Sequence, residues 1–433
     1  MMLSNRTIPQ LRHYIECCYA VFVIVVLTQG PVIKIWRTAE LYTSVPITPT
    51  HQMTYLLIQL PALLILANRV SLPHKFNRPT SVLSLFLFWL MLSTVWTHLS
   101  RYTVIDSTTL AITAFVGVYL AKSFSNRQII ISTCIAMHLC VLISYAGIKR
   151  NWSESIDPEG NWMGMYFNRN SLAPVAMVGI LTLSILVLEV VRSRSGSYRF
   201  ASIALLADLF LLDSYVFIKT GSVTSLLAAV WFVFVWFAWT VIRNQRLRQK
   251  INSQVLQKLI YPIWLAVSIL ICWIGFSFAQ PLMKLFGKND FFSGRGAIWH
   301  FNWTGFLERP LIGWGWMAAW STPEFLKRDL WWTVGGAQWS HNGYLEILLG
   351  GGLVAGLLFV LYVVWSGYVK LDQVCELKYG QWSYSMAAFV LVSATQESFF
   401  IGNHFLWALL IACLTTSSIS DEHHLSTNAQ PRI

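Results

Sequence analysis

The chain has 433 residues, of which 55% are apolar and only 12% charged, with a formal net charge of +12 and a mean hydropathy of +0.55. Soluble domains carry about a quarter charged residues, so this composition excludes an ordinary soluble multidomain protein. The surplus cations lie in short loops between apolar runs rather than in a basic patch, which argues against a nucleic-acid partner.

The apolar runs are roughly 20 residues long, enough to cross the ~30 Å hydrocarbon core of a bilayer. Lipid cannot hydrogen-bond a backbone, so each run is expected to be a helix. The spans expected in chain order are 16–36, 52–68, 81–97, 103–121, 128–148, 172–191, 200–218, 222–242, 259–278, 343–368, 383–399 and 403–416. The fold class is therefore all-α, a polytopic transmembrane bundle of about 12 spans forming one integral membrane domain over residues 1–416. Arg6 and Arg12 precede an apolar run that continues to Gly30 without a small-residue cleavage site, so it reads as a first span rather than a removable signal.

Cations set the orientation. With a cytoplasmic N-terminus, the inner loops carry Arg69, Lys75, Arg78, Lys122, Arg127, Arg192, the run Arg243 to Lys258, Lys370 and Lys378. The outer loops carry fewer, among them Lys34, Arg101, Lys149, Arg150, Arg169 and Lys219. Both termini are then cytoplasmic, 279–342 is one large external loop, and the polar stretch 417–433 is a disordered tail. Six of the seven cysteines fall in or beside apolar runs without metal-ligand spacing, so they are expected to be buried thiols. No motif suggests a metal or cofactor site.

Chemistry concentrates near the external loop. His341 stands where that loop re-enters the bilayer; an imidazole there reads either as a general base on the outer aqueous side or as an interfacial helix cap. Arg295, in Ser293-Gly294-Arg295-Gly296, has glycine on both sides, which admits a ligand close to the backbone, and guanidinium binds phosphate oxygens in bidentate fashion. Arg169 and Lys219 are further external cations that serve either as phosphate ligands or as headgroup anchors. The loop is crowded with Trp299, Trp303, Trp314, Trp316, Trp320, Trp331, Trp332 and Trp339. Indoles prefer the membrane boundary and also stack on sugar rings. Asp208, Asp213, Glu346 and Glu397 fall inside expected spans, where a carboxylate is costly and hence informative. Glu346, a little over one turn beyond His341, either orients that region or hydrogen-bonds a neighbouring helix. Asp208 and Asp213 do not share a helix face.

Four features together resemble the O-antigen ligase and polysaccharide polymerase superfamily, particularly its exopolysaccharide polymerase-like members. They are Ser293-Gly294-Arg295 with Ile298-Trp299; Phe306, Arg309-Pro310, Gly313 and Gly315; His341-Asn342 followed by Gly352; and a many-span topology with one large loop before the histidine. The chain departs from the pattern at Ala355, where relatives carry glycine, and at Val223, where relatives carry a cation near a helix start. The resemblance implies a GT-C-like, metal-independent, inverting glycosyltransferase of the bacterial cytoplasmic membrane, working on the outer face. It implies polyprenyl-diphosphate-linked glycan as donor and polysaccharide-assembly proteins as possible neighbours. It also implies that His341 activates an acceptor hydroxyl, with Arg295, Arg169, Lys219, Asn342 and Trp299 holding substrate. A polymerase that joins lipid-linked repeats is the leading expectation. A ligase passing glycan to lipid A core or another acceptor, a transporter and a structural scaffold are the alternatives.

Overall fold

The computed structural model describes residues 7–36, 49–69, 78–192, 199–242, 295–327, 339–376 and 379–415. The expected span 259–278, the loop start 279–294, the cations from Arg243 to Lys258, Trp331, Trp332 and the tail 417–433 lie outside them. The helices are α1 (Thr7–Leu27), α2 (Gly30–Trp36), α3 (Pro49–Arg69), α4 (Arg78–Leu92), α5 (Ser100–Ser123), α6 (Asn126–Lys149), α7 (Arg169–Arg192), α8 (Arg199–Thr220) and α9 (Val223–Ile242). They continue as α10 (Arg295–Glu308), α11 (Pro323–Leu326), α12 (Gly343–Glu376), α13 (Gly380–Ser393) and α14 (Phe405–Thr415). Among the described residues no strand forms; an isolated bridge joins Ile156 to Trp162.

Seven described helices are long and apolar enough to cross a membrane: Gln10–Leu27, Ser100–Ser123, Asn126–Lys149, Arg169–Arg192, Ala201–Thr220, Val223–Thr240 and Gly343–Val369. The other expected spans within the described residues form helices that fall short of that length or apolarity. The chain is a polytopic helical membrane protein. The first expected span, 16–36, breaks after Leu27: Gln29 adopts φ 70°, and α2 restarts at Gly30-Pro31. The expected span 383–399 ends early, because α13 stops at Ser393 and 394–404 follow an irregular path. Glu397 is therefore on irregular backbone rather than in a helix.

The chain divides into two compact units. The first contains Met1–Val70, Ile112–Val233 and Asn403–Ile433; the second contains Ser71–Ala111 and Phe234–Gly402.

In the first unit α7 packs between α6 and α8, and α1 lies on α6. Pro61 sits inside α3, and beside it the Tyr19 hydroxyl inserts into the helix ladder. It donates to the Ile58 carbonyl at 2.8 Å and accepts from the Ala62 N–H at 3.0 Å, so both backbone groups stay paired where the helix is disturbed. Two deeper polar side chains, Gln59 and Asp213, also find partners. Gln59 donates to Asn403 at 2.8 Å and accepts from Thr113 at 3.1 Å. Asp213, fully buried on α8, pairs not with Asp208 but with His138 Nδ1 at 3.1 Å, in space opened by Gly179. The connection between α6 and α7 is organised by Asp157, whose carboxylate accepts from the Asn161 backbone at 2.8 Å and the Glu159 backbone at 2.9 Å. Burial works against that carboxylate, but the Asn161 side chain and backbone, the Arg169 charge and the Glu159 N–H outweigh it and hold Asp157 below the usual carboxylate range.

In the second unit the long helix α12 is broken at Gly350-Gly351-Gly352, where Gly352 takes φ 68°. Backbone groups freed by the break find partners in neighbouring segments. The Leu349 carbonyl accepts from Trp314 N–H at 2.8 Å, Gly350 from Gly315 N–H at 3.0 Å, and Gly351 from Trp89 Nε1 at 2.8 Å. On the other side Leu353 N–H donates to Pro310 at 2.7 Å. The Arg309-Pro310…Gly313…Gly315 element is thus the strap that completes the broken helix. Glycine is required on both sides of the joint, since a Cβ on Gly313 would meet the Leu349 and Gly350 carbonyls and one on Gly352 the Leu311 carbonyl. Above the strap, Phe301, Trp314, Ala319, Trp320, Phe325 and Leu349 form a common apolar core.

Gly352→Ala adds a methyl to a left-handed residue, a cost of ~1–2 kcal/mol before any clash. It should lower the thermal unfolding midpoint in detergent, whereas Gly296→Ala, whose methyl would meet nothing within 4 Å, should not. The Asp157 contribution is fully present above the ordinary carboxylate value of about 3.9 and is lost as pH falls through its lowered value. Limited proteolysis of the α6–α7 connection should therefore stay slow down to about pH 4 and accelerate below it, while Asp157→Asn should be cut faster above that pH and converge with the unaltered chain at low pH.

Candidate functional site

Three distant segments of the second unit meet at one carboxylate. Arg295 is the first residue of α10, and its guanidinium donates Nη1 to the Gln396 carbonyl at 2.5 Å and Nη2 to Glu397 Oε1. The other Glu397 oxygen lies 2.9 Å from His341 Nδ1. Glu397 thus bridges the arginine and the histidine. The arginine and glutamate side chains are only 13% and 10% exposed, while the imidazole retains 25%, so the open end of the constellation is the histidine.

The surrounding structure fixes the imidazole. Asn342 is the N-cap of α12: its Oδ1 accepts from the Tyr344 N–H at 3.0 Å and the Leu345 N–H at 3.2 Å. Glu346, fully inside the protein, accepts from the Ser340 N–H at 2.5 Å and the Ser398 hydroxyl at 3.2 Å, tying the residue before His341 to the residue after Glu397. The Trp299 indole N–H donates to the Ser340 carbonyl at 3.0 Å, and the Trp339 ring lies 5.7 Å from that of His341. Held this way, His341 adopts φ 49°, an uncommon backbone for a non-glycine residue. An Nδ1–H directed at a carboxylate leaves Nε2 as the nitrogen with a free lone pair, the arrangement of an imidazole that takes a proton from a bound hydroxyl.

Of the residues singled out from sequence, His341, Asn342, Arg295 and Trp299 come together in the second unit. Asn342 uses its carbonyl oxygen as a helix cap, and Trp299 uses its N–H as a brace. Arg169 and Lys219 belong to the first unit. Arg169 pairs with Glu159 at 2.9 Å and Asp157 at 3.9 Å, and Lys219 stands 5.8 Å from the Tyr215 ring centroid. Glu346 takes both readings left open for it, since it positions the His341 segment by hydrogen-bonding a neighbouring segment. The tryptophans correct one expectation: Trp314, Trp316 and Trp320 are buried structural side chains rather than a boundary belt, while Trp303 and Trp339 are exposed. The described cysteines, Cys17, Cys18, Cys134, Cys140 and Cys413, are free thiols, and Cys18 is exposed rather than buried.

Sequence reasoning flagged Glu397 as a costly intramembrane acid but missed its partners. The signal was the polar triplet Gln396-Glu397-Ser398 interrupting an apolar run. A carboxylate there needs a cation, and α10 supplies one from about a hundred residues away.

No curated protein matches the chain. The O-antigen ligase family model matches residues 208–360, a stretch that holds Arg295, the strap, His341 and the glycine break but stops short of Glu397. The match supports a membrane glycan ligase or polymerase type of function. Over that stretch the chain is similar to the O-antigen ligase family, and the match supports the resemblance to the O-antigen ligase and polysaccharide polymerase superfamily.

Proposed function

We propose that the chain is a glycosyltransferase that polymerises polyprenyl-diphosphate-linked oligosaccharide repeats on the outer face of the bacterial cytoplasmic membrane. The observation that carries this reading is the Glu397 carboxylate shared between Arg295 and His341 Nδ1. An acceptor sugar hydroxyl gives its proton to His341 Nε2 as its oxygen forms a bond to the anomeric carbon of the donor glycan. The bond from that carbon to the diphosphate breaks, and the electron pair leaves with the polyprenyl diphosphate. Attack opposite the leaving group inverts the anomeric centre. Glu397 holds the imidazole in the accepting tautomer and stabilises the imidazolium that forms.

Diphosphate is a good leaving group, and fixed guanidinium N–H groups stabilise its growing charge without a required metal ion. Arg295 has five donors, of which the contacts to Gln396 and Glu397 engage only part, so the rest of its fork is the phosphate-binding face. Asn342 and Trp299 then act through the position of His341 rather than by touching sugar.

The deciding experiment incubates purified protein with a lipid-diphosphate oligosaccharide, with and without EDTA. Elongated lipid-linked product supports polymerisation, transfer to a different acceptor identifies a ligase, and glycan translocation without a new glycosidic bond identifies a transporter. A requirement for divalent metal would remove the metal-free step. His341→Ala and Arg295→Ala should abolish product while the protein still inserts, and normal polymer lengths from either would count against the assignment. Glu397→Gln should lower turnover by roughly 10²–10⁴-fold with donor binding retained. Arg295→Lys should be poorly active, since an ammonium cannot span the Gln396 carbonyl and the carboxylate as a planar fork does.

A further inference from the structure

We infer that the tip of the strap, around Leu307 to Ile312, is seated in the membrane–water interface against the bilayer's own lipid, and that α10 is a strut standing on that footing. The inference rests on α12 crossing the bilayer and not on the transferase reading.

The apolar part of α12, Gly343–Val369, is 27 residues long. At 1.5 Å per residue it measures about 40 Å, against a hydrocarbon thickness of about 30 Å that needs about 20 residues. About 20 of these 27 residues fill the hydrocarbon, so its boundary falls between Gly343 and the glycine break, within about 10 Å of Gly350. The strap is hydrogen-bonded into that break: Leu353 N–H donates to Pro310 at 2.7 Å, and Val354 N–H to Leu311 at 3.4 Å. The backbone of Pro310 and Leu311 therefore lies within about 10 Å of the boundary, in the interfacial layer.

The side chains on this piece suit that level. Leu311 is 64% exposed, Leu307 55%, Trp303 46% and Ile312 39%, large apolar groups that water would not favour. The strap is hydrogen-bonded to α12 at Leu353 and Val354, and beyond that joint Leu353, Leu357, Val360 and Leu361 are also exposed, apolar groups that a membrane-crossing helix turns to lipid. Arg309, whose guanidinium lies 4.1 Å from the ring centroid of buried Trp314, supplies a cation beside the patch. Continuity with a lipid-facing span distinguishes lipid from a second protein as the occupant. From this footing α10 runs about 20 Å to Arg295, which links the strap to the Glu397 carboxylate.

The test uses the full chain in phospholipid vesicles with the photocrosslinker benzoylphenylalanine at single positions. At Leu311 and Trp303 the yield of phospholipid adducts, read by mass, should approach that at lipid-facing Leu357. It should be several-fold above that at exposed Glu324 on the same loop. A protein–protein adduct as the main product at Leu311, or lipid labelling there no greater than at Glu324, overturns the inference. Trp303 carries the same test if substitution at Leu311 loosens the strap.

Discussion

A carboxylate withdrawn from water has to be compensated, and in this protein the compensation of Glu397 holds the second unit's polar site together. Removing one partner from a buried ion pair costs on the order of 3–5 kcal/mol, far more than the pair itself contributes. Arg295 at one end of the chain segment and His341 at the other are therefore bound to Glu397 for reasons of solvation before any question of reactivity arises. The same solvation argument explains why the segment is irregular. A helix continuing through 394–404 would engage the Gln396 carbonyl in its own hydrogen-bond ladder, whereas the irregular path lets that carbonyl and the Glu397 carboxylate address a single guanidinium.

The second constraint is the backbone. A helix break beside lipid is tolerated only where protein groups replace the missing ladder bonds. Here a strap from the preceding loop and one indole from α4 do so. Motif residues that read in sequence as a loop signature, Arg309-Pro310 and the glycines after them, are thereby explained by packing and hydrogen bonding. The family model's matched stretch ends soon after this joint. What that stretch encodes is the scaffold that presents His341 and Arg295, while the group joining them comes from later in the chain.

Much of this was readable from residues alone. Apolar runs of bilayer length announced a polytopic helical protein, and glycine around Arg295 together with His341 at a span's mouth marked the polar centre. Three things were not readable. Tryptophan gives the same composition signal whether it is buried under a strap or sits at an interface, so Trp314, Trp316 and Trp320 were misread. Hydropathy averages over a window, so the end of α13 at Ser393 and the interruption after Leu27 were smoothed into continuous spans. Pairing across about a hundred residues leaves no local trace, so Glu397 stood out only as an anomaly and His138 was not connected to Asp213.

The segment from Gly343 to Gly351 is pinned at both ends, by the Asn342 cap and Glu346 at the top and by the strap at the bottom. A helix advances about 100° and 1.5 Å with each residue. One residue gained or lost there would rotate the histidine away from its carboxylate or pull the glycines out of register with their acceptors. This short helix is consequently a ruler of invariant length.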